Sequence, residues 1–577
     1  MRGGWVAKSL SLAIIIIGFL LIYIFPLGVR PIAIPDESRY GEIPREMLSS
    51  GDWIVPRLNG LRYFEKPVLG YWLNGLSIRL FGENAFAIRF PSAMAAGISA
   101  LLLFVLVKKS TGRYFAGILA AVVLLTCVEF FIVGTFSVLD SMFSMFVTGT
   151  MVLFFLAYSQ QVRRKKLSLL ILTGIFCGLA FLTKGFLAFV ILTGAIVPFA
   201  VWERRRQNVL RTILVPILFA VLVALPWCII IYKREPDFWN YFFWTEHIKR
   251  FLSSQAQHHK PFWFFVPILI GGAMPWTVLA VVVIKGLCKI SLKDSLVRFG
   301  ICWFLFCFVF FSASEGKLAT YILPCFPPLA LLITLGLLKY FEAGQTKDFE
   351  NAARLSAVIA GVVCAALILN QMLRFPAVTL YERQEAWRCS LAIAAVVTWG
   401  ICSVLAARTA DVTRKLILYC LGPALLMGCA PFIIPDILED KMSPDEVLIK
   451  YAAAVEPNTI LVADTRTVQA VCWFYKRSDV YCLGDGELEY GLHYSDSRQR
   501  LLDIQKFKEL VKSSERGKII LILSDREYAK WRKLIPEPTF IDIDADSAIV
   551  FAQFKPTPDK KMGCLRRQTL PVWAGRS

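Results

Sequence analysis

Residues 10–27 read LSLAIIIIGFLLIYIFPL, an apolar run without a charged side chain. A transmembrane helix needs about 17–25 largely apolar residues, so this run is long enough to enter lipid. Arg2 and Lys8 precede it, as in a secretory signal, but no small-residue cleavage site follows cleanly before Pro26 and Arg30. Many further apolar runs come later, which makes it an uncleaved first span. Working outward, the same pattern recurs at 86–107, 114–133, 141–160, 168–182, 186–202, 210–231, 262–284, 297–311, 319–338, 355–373, 389–407 and 415–434. The reading is thirteen spans, with tilted or broken helices expected at 168–182, 186–202 and 297–311, which are short or closely spaced.

The composition agrees. Of 577 residues, 56% are hydrophobic and 18% charged, and the mean hydropathy is +0.58. An ordinary soluble domain is about 45–50% apolar and about 25% charged, so a soluble globular enzyme is excluded. The net charge of +20 falls in short runs between apolar segments, with no zinc finger, RNA-binding aromatic pair or basic helix beside it. A nucleic-acid partner is therefore not expected.

The basic runs set orientation instead. With the N-terminus cytoplasmic, the inside connections hold 23 basic residues (Lys108-Lys109, Arg163 to Lys166 and Arg204 to Arg206 among them) against 6 acidic ones. That bias satisfies the positive-inside rule, and an odd number of spans places the C-terminal region outside. The long, varied connections 28–85, 232–261 and 374–388 share that side, which is where chemistry is expected. The chain reads as a membrane part, 1–434, and a tail, 435–577.

The tail alternates expected helices (445–455, 468–475, 498–511) with strands (459–463, 480–482, 518–523 and one or two within 540–551). This is a small α/β domain with no Gly-rich phosphate loop. Most of the 15 Cys lie singly in apolar stretches; Cys472 and Cys482 are a candidate local disulfide.

The first outer loop carries PDESRYGE at 35–42 and YFEKPV at 63–68. A short helix over 38–47, behind Asp36, would present Glu37 and Tyr40 at the membrane surface, and Trp53, Tyr63, Tyr71 and Trp72 suit an interfacial belt. Asp140, in TFSVLD, lies at an outer helix entrance, where a carboxylate can also serve as a cap. Two carboxylates from separate loops suit a metal, a substrate amine or the water around a phosphate. Lys66, Lys184, Arg250 and Lys317 share the outer side and suit a phosphate headgroup or snorkelling to lipid; Tyr321 sits near a helix entrance. The segment WTEHIKRF at 244–251, with His258-His259, holds three of the four His, so His247 beside Glu65 or Glu246 is a candidate for a divalent ion such as zinc, with pH-sensitive hydrogen bonding as the alternative.

These pieces resemble the bacterial lipid A aminoarabinose transferases, members of the polyprenyl-phosphate-dependent GT-C glycosyltransferases related to the protein O-mannosyltransferases. The resemblance rests on PDESRYGEIPREML (35–48), GDWIVPRLNGLRYFEKPVLGYW (51–72), FSVLD (136–140), FLTKGFLA (181–188) and SEGKLATYILPCFPPLALL (314–332), and it extends over nearly the whole chain. SEGKLATY departs from the family's SGKLPTY-like pattern without changing the ionisable set. The resemblance implies transfer of 4-amino-4-deoxy-L-arabinose from undecaprenyl phosphate to a lipid A phosphate, at the periplasmic face of the inner membrane. It implies catalytic roles for Asp36 and Asp140, and a headgroup cavity containing Tyr40, Tyr63, Glu65 and Lys66. It further implies Lys66 and Arg250 around the donor phosphate, and Glu65 with His247 as a metal neighbourhood. No organic cofactor is expected, and the protein is expected to act as a monomer among membrane lipids. A GT-C enzyme with another sugar or a protein acceptor, and a lipid transporter, are the rival readings.

Overall fold

A backbone that enters lipid has no water to bond, so each N–H and C=O must pair within its own segment, and apolar runs therefore form helices. The computed structural model describes residues 12–203, 206–249, 259–373, 379–513, 518–544 and 547–554, and excludes the side chains of 206–211 and of His247. Among these residues nine helices are long and apolar enough to cross a membrane, or up to eleven if each of two bent pairs forms one span. Two shorter apolar helices, Leu12–Gly28 and Leu187–Trp202, lie in the other expected segments but fall outside that count of nine to eleven, which is below the expected thirteen. The chain is thus a multi-pass membrane protein.

Several segments differ from expectation. The run 114–133 breaks by 70° between Tyr114–Leu125 and Val128–Gly134, and 262–284 breaks by 94° between Phe262–Gly272 and Trp276–Leu287. Pro275 lies in the second break, where its missing N–H cannot continue the ladder. The expected short span at 168–182 is instead a full helix, Arg163–Lys184, ended by Gly185 at φ +78°. Glycine takes this positive φ without a Cβ penalty, so the helix stops there and leaves Lys184 on its last turn. The segment 297–311 is likewise a continuous helix, Ser295–Ala313.

The chain divides into two compact units, Met1–Ser443 and Pro444–Ser577, so the boundary falls later than the expected 434/435. Polar ties explain this: Arg388 holds Asp436 at 2.6 Å, Ile34 N–H donates to the Met442 carbonyl, and the Ser443 hydroxyl donates to the Ile32 carbonyl. A hairpin of β1 (Arg57–Leu58) and β2 (Leu61–Arg62) lies in the first unit.

The second unit is a six-stranded sheet in the order β5-β4-β3-β6-β8-β7. Strands β3 (Ile460–Asp464), β4 (Tyr481–Leu483), β5 (Leu501–Leu502) and β6 (Ile519–Ser524) are parallel; β8 (Ile549–Phe554) and β7 (Phe540–Asp544) complete it antiparallel. All six residues of β6 are buried, as a central strand covered on both faces requires. The expected helix over 498–511 is corrected: Leu501–Leu502 forms the edge strand β5, and the helix spans Ile504–Ser513. The helix Asp525–Trp531 was not expected. Cys472 and Cys482 remain buried thiols, so the local disulfide does not form. Asp464 is used internally, accepting from Thr467 N–H and hydroxyl and from Ser524 N–H and hydroxyl.

Candidate active site

The juxtamembrane helix Asp36–Ser50 is longer than the expected 38–47, and Glu37 is not at the surface. Glu37 and Arg89 are almost completely buried and form a bidentate ion pair, with Nε–Oε1 2.7 Å and Nη2–Oε2 2.6 Å. Glu37 also accepts from Ala33 N–H and Ser137 N–H, while Arg89 donates to the carbonyls of Leu27, Arg30 and Pro31. Burial pushes the Glu37 carboxyl up, but the Arg89 charge and hydrogen bonds outweigh it and hold Glu37 below the usual carboxylate range. Every lone pair and donor of this pair has a partner, which a buried charge demands.

This clamp has a positional consequence. Residue 36 precedes it on one segment and Ser137 leads into the helix Leu139–Ser159, so one buried carboxylate ties together the two segments that carry Asp36 and Asp140. Asp36 turns outward with 45% of its side chain exposed and pairs with Arg39, whose guanidinium also donates to the Tyr63 hydroxyl at 3.1 Å. Tyr40 lies one turn on, close enough to feel both Asp36 and Asp140; burial pushes its phenol well above its ordinary range, so it stays a neutral donor. Its carbonyl accepts from Asn74, and its ring faces that of Tyr71.

Asp140 does not cap its helix by a side-chain bond. Its carboxylate accepts from Lys184 Nζ at 2.6 Å, both side chains being 9% exposed, and the Lys184 ammonium stands 4.5 Å over the Tyr321 ring. A cavity of about 120 Å³ adjoins this group. Its polar lining includes Glu65, Lys66, Lys184, Glu246 and Tyr321, and its apolar lining includes Leu187, Phe310 and Phe311. Lys66 Nζ lies 3.2 Å from Glu246 Oε2 and 3.9 Å from Glu65 Oε2. Charges facing an apolar wall in a partly dry space suit an amphiphile whose headgroup is ionic.

The structure therefore gathers Glu65, Lys66, Lys184 and Tyr321 in one lining, with Asp140 attached through Lys184. Lys317 departs from expectation. It is 3% exposed and donates to the Lys260 carbonyl, so it straps two segments together rather than joining that lining. Arg250 and the side chain of His247 lie outside the described residues. His259 pairs with Glu315. Among the described residues no group of three or more His, Cys, Asp or Glu is placed to hold a metal, and a metal ion at Glu65 would face the Lys66 ammonium. The described donors do not fit a metal centre.

Sequence reading missed two partners, Arg39 and Arg89, and it placed Glu246 beside an imidazole rather than against Lys66. Arg89 carried the clearest signal, since an arginine at the head of an apolar run needs a buried partner.

Known proteins share this chain's sequence and fold. Residues 8–242 match the family model described as dolichyl-phosphate-mannose-protein mannosyltransferase, and 439–551 match the arabinosyl transferase ArnT C-terminal domain. Together with the fold and cavity, these matches define the class, a polyprenyl-phosphate-dependent membrane glycosyltransferase of GT-C type. The undecaprenyl phosphate-α-4-amino-4-deoxy-L-arabinose arabinosyl transferase of Shewanella sediminis is 38% identical, over 89% of this chain and 94% of its own. That of Serratia proteamaculans is also 38% identical, over 91% and 93%. The crystal structure of ArnT from Cupriavidus metallidurans bound to undecaprenyl phosphate superposes with TM-score 0.77 at 20% identity, covering 96% of this chain and 98% of that one, a likeness of fold. The chain belongs to the undecaprenyl phosphate-aminoarabinose arabinosyl transferase family.

Proposed function

We propose that the protein transfers 4-amino-4-deoxy-L-arabinose from undecaprenyl phosphate to a phosphate of lipid A. The observation that carries this is the cavity in which Lys66, Lys184, Glu65, Glu246 and Tyr321 face Leu187, Phe310 and Phe311. Both substrates have apolar tails and anionic headgroups, so such a boundary brings the headgroups together while the tails stay in lipid.

The acceptor phosphate oxygen is already anionic and needs no strong base. It attacks the anomeric carbon as the bond to the carrier phosphate breaks, with inversion, and undecaprenyl phosphate leaves with the bonding pair. Lys66 stabilises that departing charge, with Arg250 as its expected companion, and Lys184 offers a second cation. Asp36 and Asp140 orient the reacting groups, each anchored by a cation, with Tyr40 a neutral donor near both. The site faces the periplasm of the inner membrane with the N-terminus cytoplasmic; the charge bias of the short loops supports this orientation.

The test is mass analysis of lipid A in vesicles containing the purified protein and the carrier-linked donor. Gain of one aminoarabinose is expected, with loss by about 100-fold or more in Asp140→Asn. Product on a protein instead of lipid A, or full activity in Asp140→Asn, would overturn the acceptor or the site.

A further inference from the structure

The Lys66–Glu246 ion pair matches a feature of the proposed donor that phosphate binding alone does not use. Resting on the transferase reading above, the donor headgroup is zwitterionic: an anionic phosphate at one end of the sugar and an ammonium at the other. The cavity contains its own pair of opposite charges, Lys66 Nζ and Glu246 Oε2, 3.2 Å apart, with side chains 17% and 8% exposed.

We propose that Glu246 is a specificity-determining residue that receives the sugar ammonium when the donor phosphate takes Lys66, so that one internal ion pair is exchanged for two across the donor headgroup.

Electrostatic bookkeeping favours the exchange. Drawing Lys66 toward a phosphate weakens its bond to Glu246, and a carboxylate this buried is costly to leave unpaired. An ammonium repairs the loss, whereas a hydroxyl at the same sugar position does not. A site built around a charged group in this way rejects the analogue lacking it, because its own buried partner is then stranded.

Neighbouring carboxylates are less suited. Asp140 is held by Lys184 at 2.6 Å and Asp36 by Arg39, whereas Lys66, the first cation for the donor phosphate, is the partner of Glu246. Glu65 adjoins Lys66 in the chain and moves with it. Glu246 instead stands on the separate helical segment Tyr241–Lys249, so the two charges can part without unfolding either segment.

The experiment measures kcat/KM for two synthetic donors in vesicles with lipid A, undecaprenyl phosphate carrying 4-amino-4-deoxy-arabinose and undecaprenyl phosphate carrying arabinose. The wild type is expected to favour the amino donor by about 10–100-fold. Glu246→Gln collapses that preference chiefly by weakening the amino donor, Glu246→Asp restores part of it, and Lys66→Met lowers both donors alike. An unchanged preference in an active Glu246→Gln protein overturns the inference, as does equal loss for both donors with an unchanged thermal midpoint. A wild type that transfers neither donor overturns the transferase reading and this inference with it.

Discussion

Two helices of the membrane unit have opposite relations between polarity and burial. Asp36–Ser50 is rich in charge, yet eleven of its fifteen residues are buried. Lys347–Leu373 is strongly apolar, yet only 17% of its most hydrophobic window is buried within the protein. In water this would be an inverted molecule. In lipid the apolar helix needs no protein partner, because the acyl chains solvate Val358, Val362 and Leu369 on its outward face. The charged helix needs a partner for almost every group: Glu37 has Arg89, Glu42 has Arg45, and Glu46 has the Gly60 N–H. Hydropathy finds the first kind of helix, and only pairing explains the second.

The comparison can be broken first at the clamp. Glu37→Gln leaves Arg89 charged in a closed site and should cost about 3–5 kcal/mol, read as a large fall in the thermal midpoint of the purified protein. On the other helix, Val362→Asp near the centre of the span should cost about 2.5–3.5 kcal/mol as impaired insertion. Val362→Thr should cost much less, since lipid exposure leaves no cavity to collapse.

A third test is the pH response. Burial pushes the Glu46 carboxyl up, against its hydrogen bonds from Gly60 and Asn59. The folded protein therefore holds this proton at a pH where the unfolded chain has lost it, so stability falls as pH rises from the unfolded value through the folded one. Burial also raises Glu42, next to Glu46. Glu46→Gln should flatten that slope and be neutral or stabilising at pH 7, read from thermal midpoints at several pH values. Asp52 has the opposite sign. Despite partial burial, bonds from Ile54, Val55 and Arg234 hold it below the usual carboxylate range. Its contribution is present at neutral pH and fades as pH drops through the folded value. Arg234 is half exposed, so Asp52→Asn should cost only about 0.5–1 kcal/mol.

These contrasts also explain how far the sequence could be read. The spans were legible because length and apolarity alone decide them, and the tail was legible from its alternating periodicity. The break at Pro275 and the edge strand Leu501–Leu502 were less visible, since both depend on tertiary context. Asp36, Asp140, Lys66 and Lys184 stood out as charges beside apolar runs. Their partners did not, because Lys184 reaches Asp140 across 44 residues and Lys66 reaches Glu246 across 180. Lys317 shows the converse: a cation in the expected place that the fold uses as a strap.

The adjacent residues Asp36 and Glu37 compress the comparison into one peptide unit, the first exposed and assigned to chemistry, the second sealed and assigned to architecture. The most direct test is transfer of aminoarabinose from undecaprenyl phosphate to lipid A by purified wild type and Asp36→Asn, with thermal midpoints recorded on the same samples. The account predicts an unchanged midpoint and transfer reduced by about 100-fold or more in the variant. Wild-type transfer by a fully folded Asp36→Asn protein would contradict it.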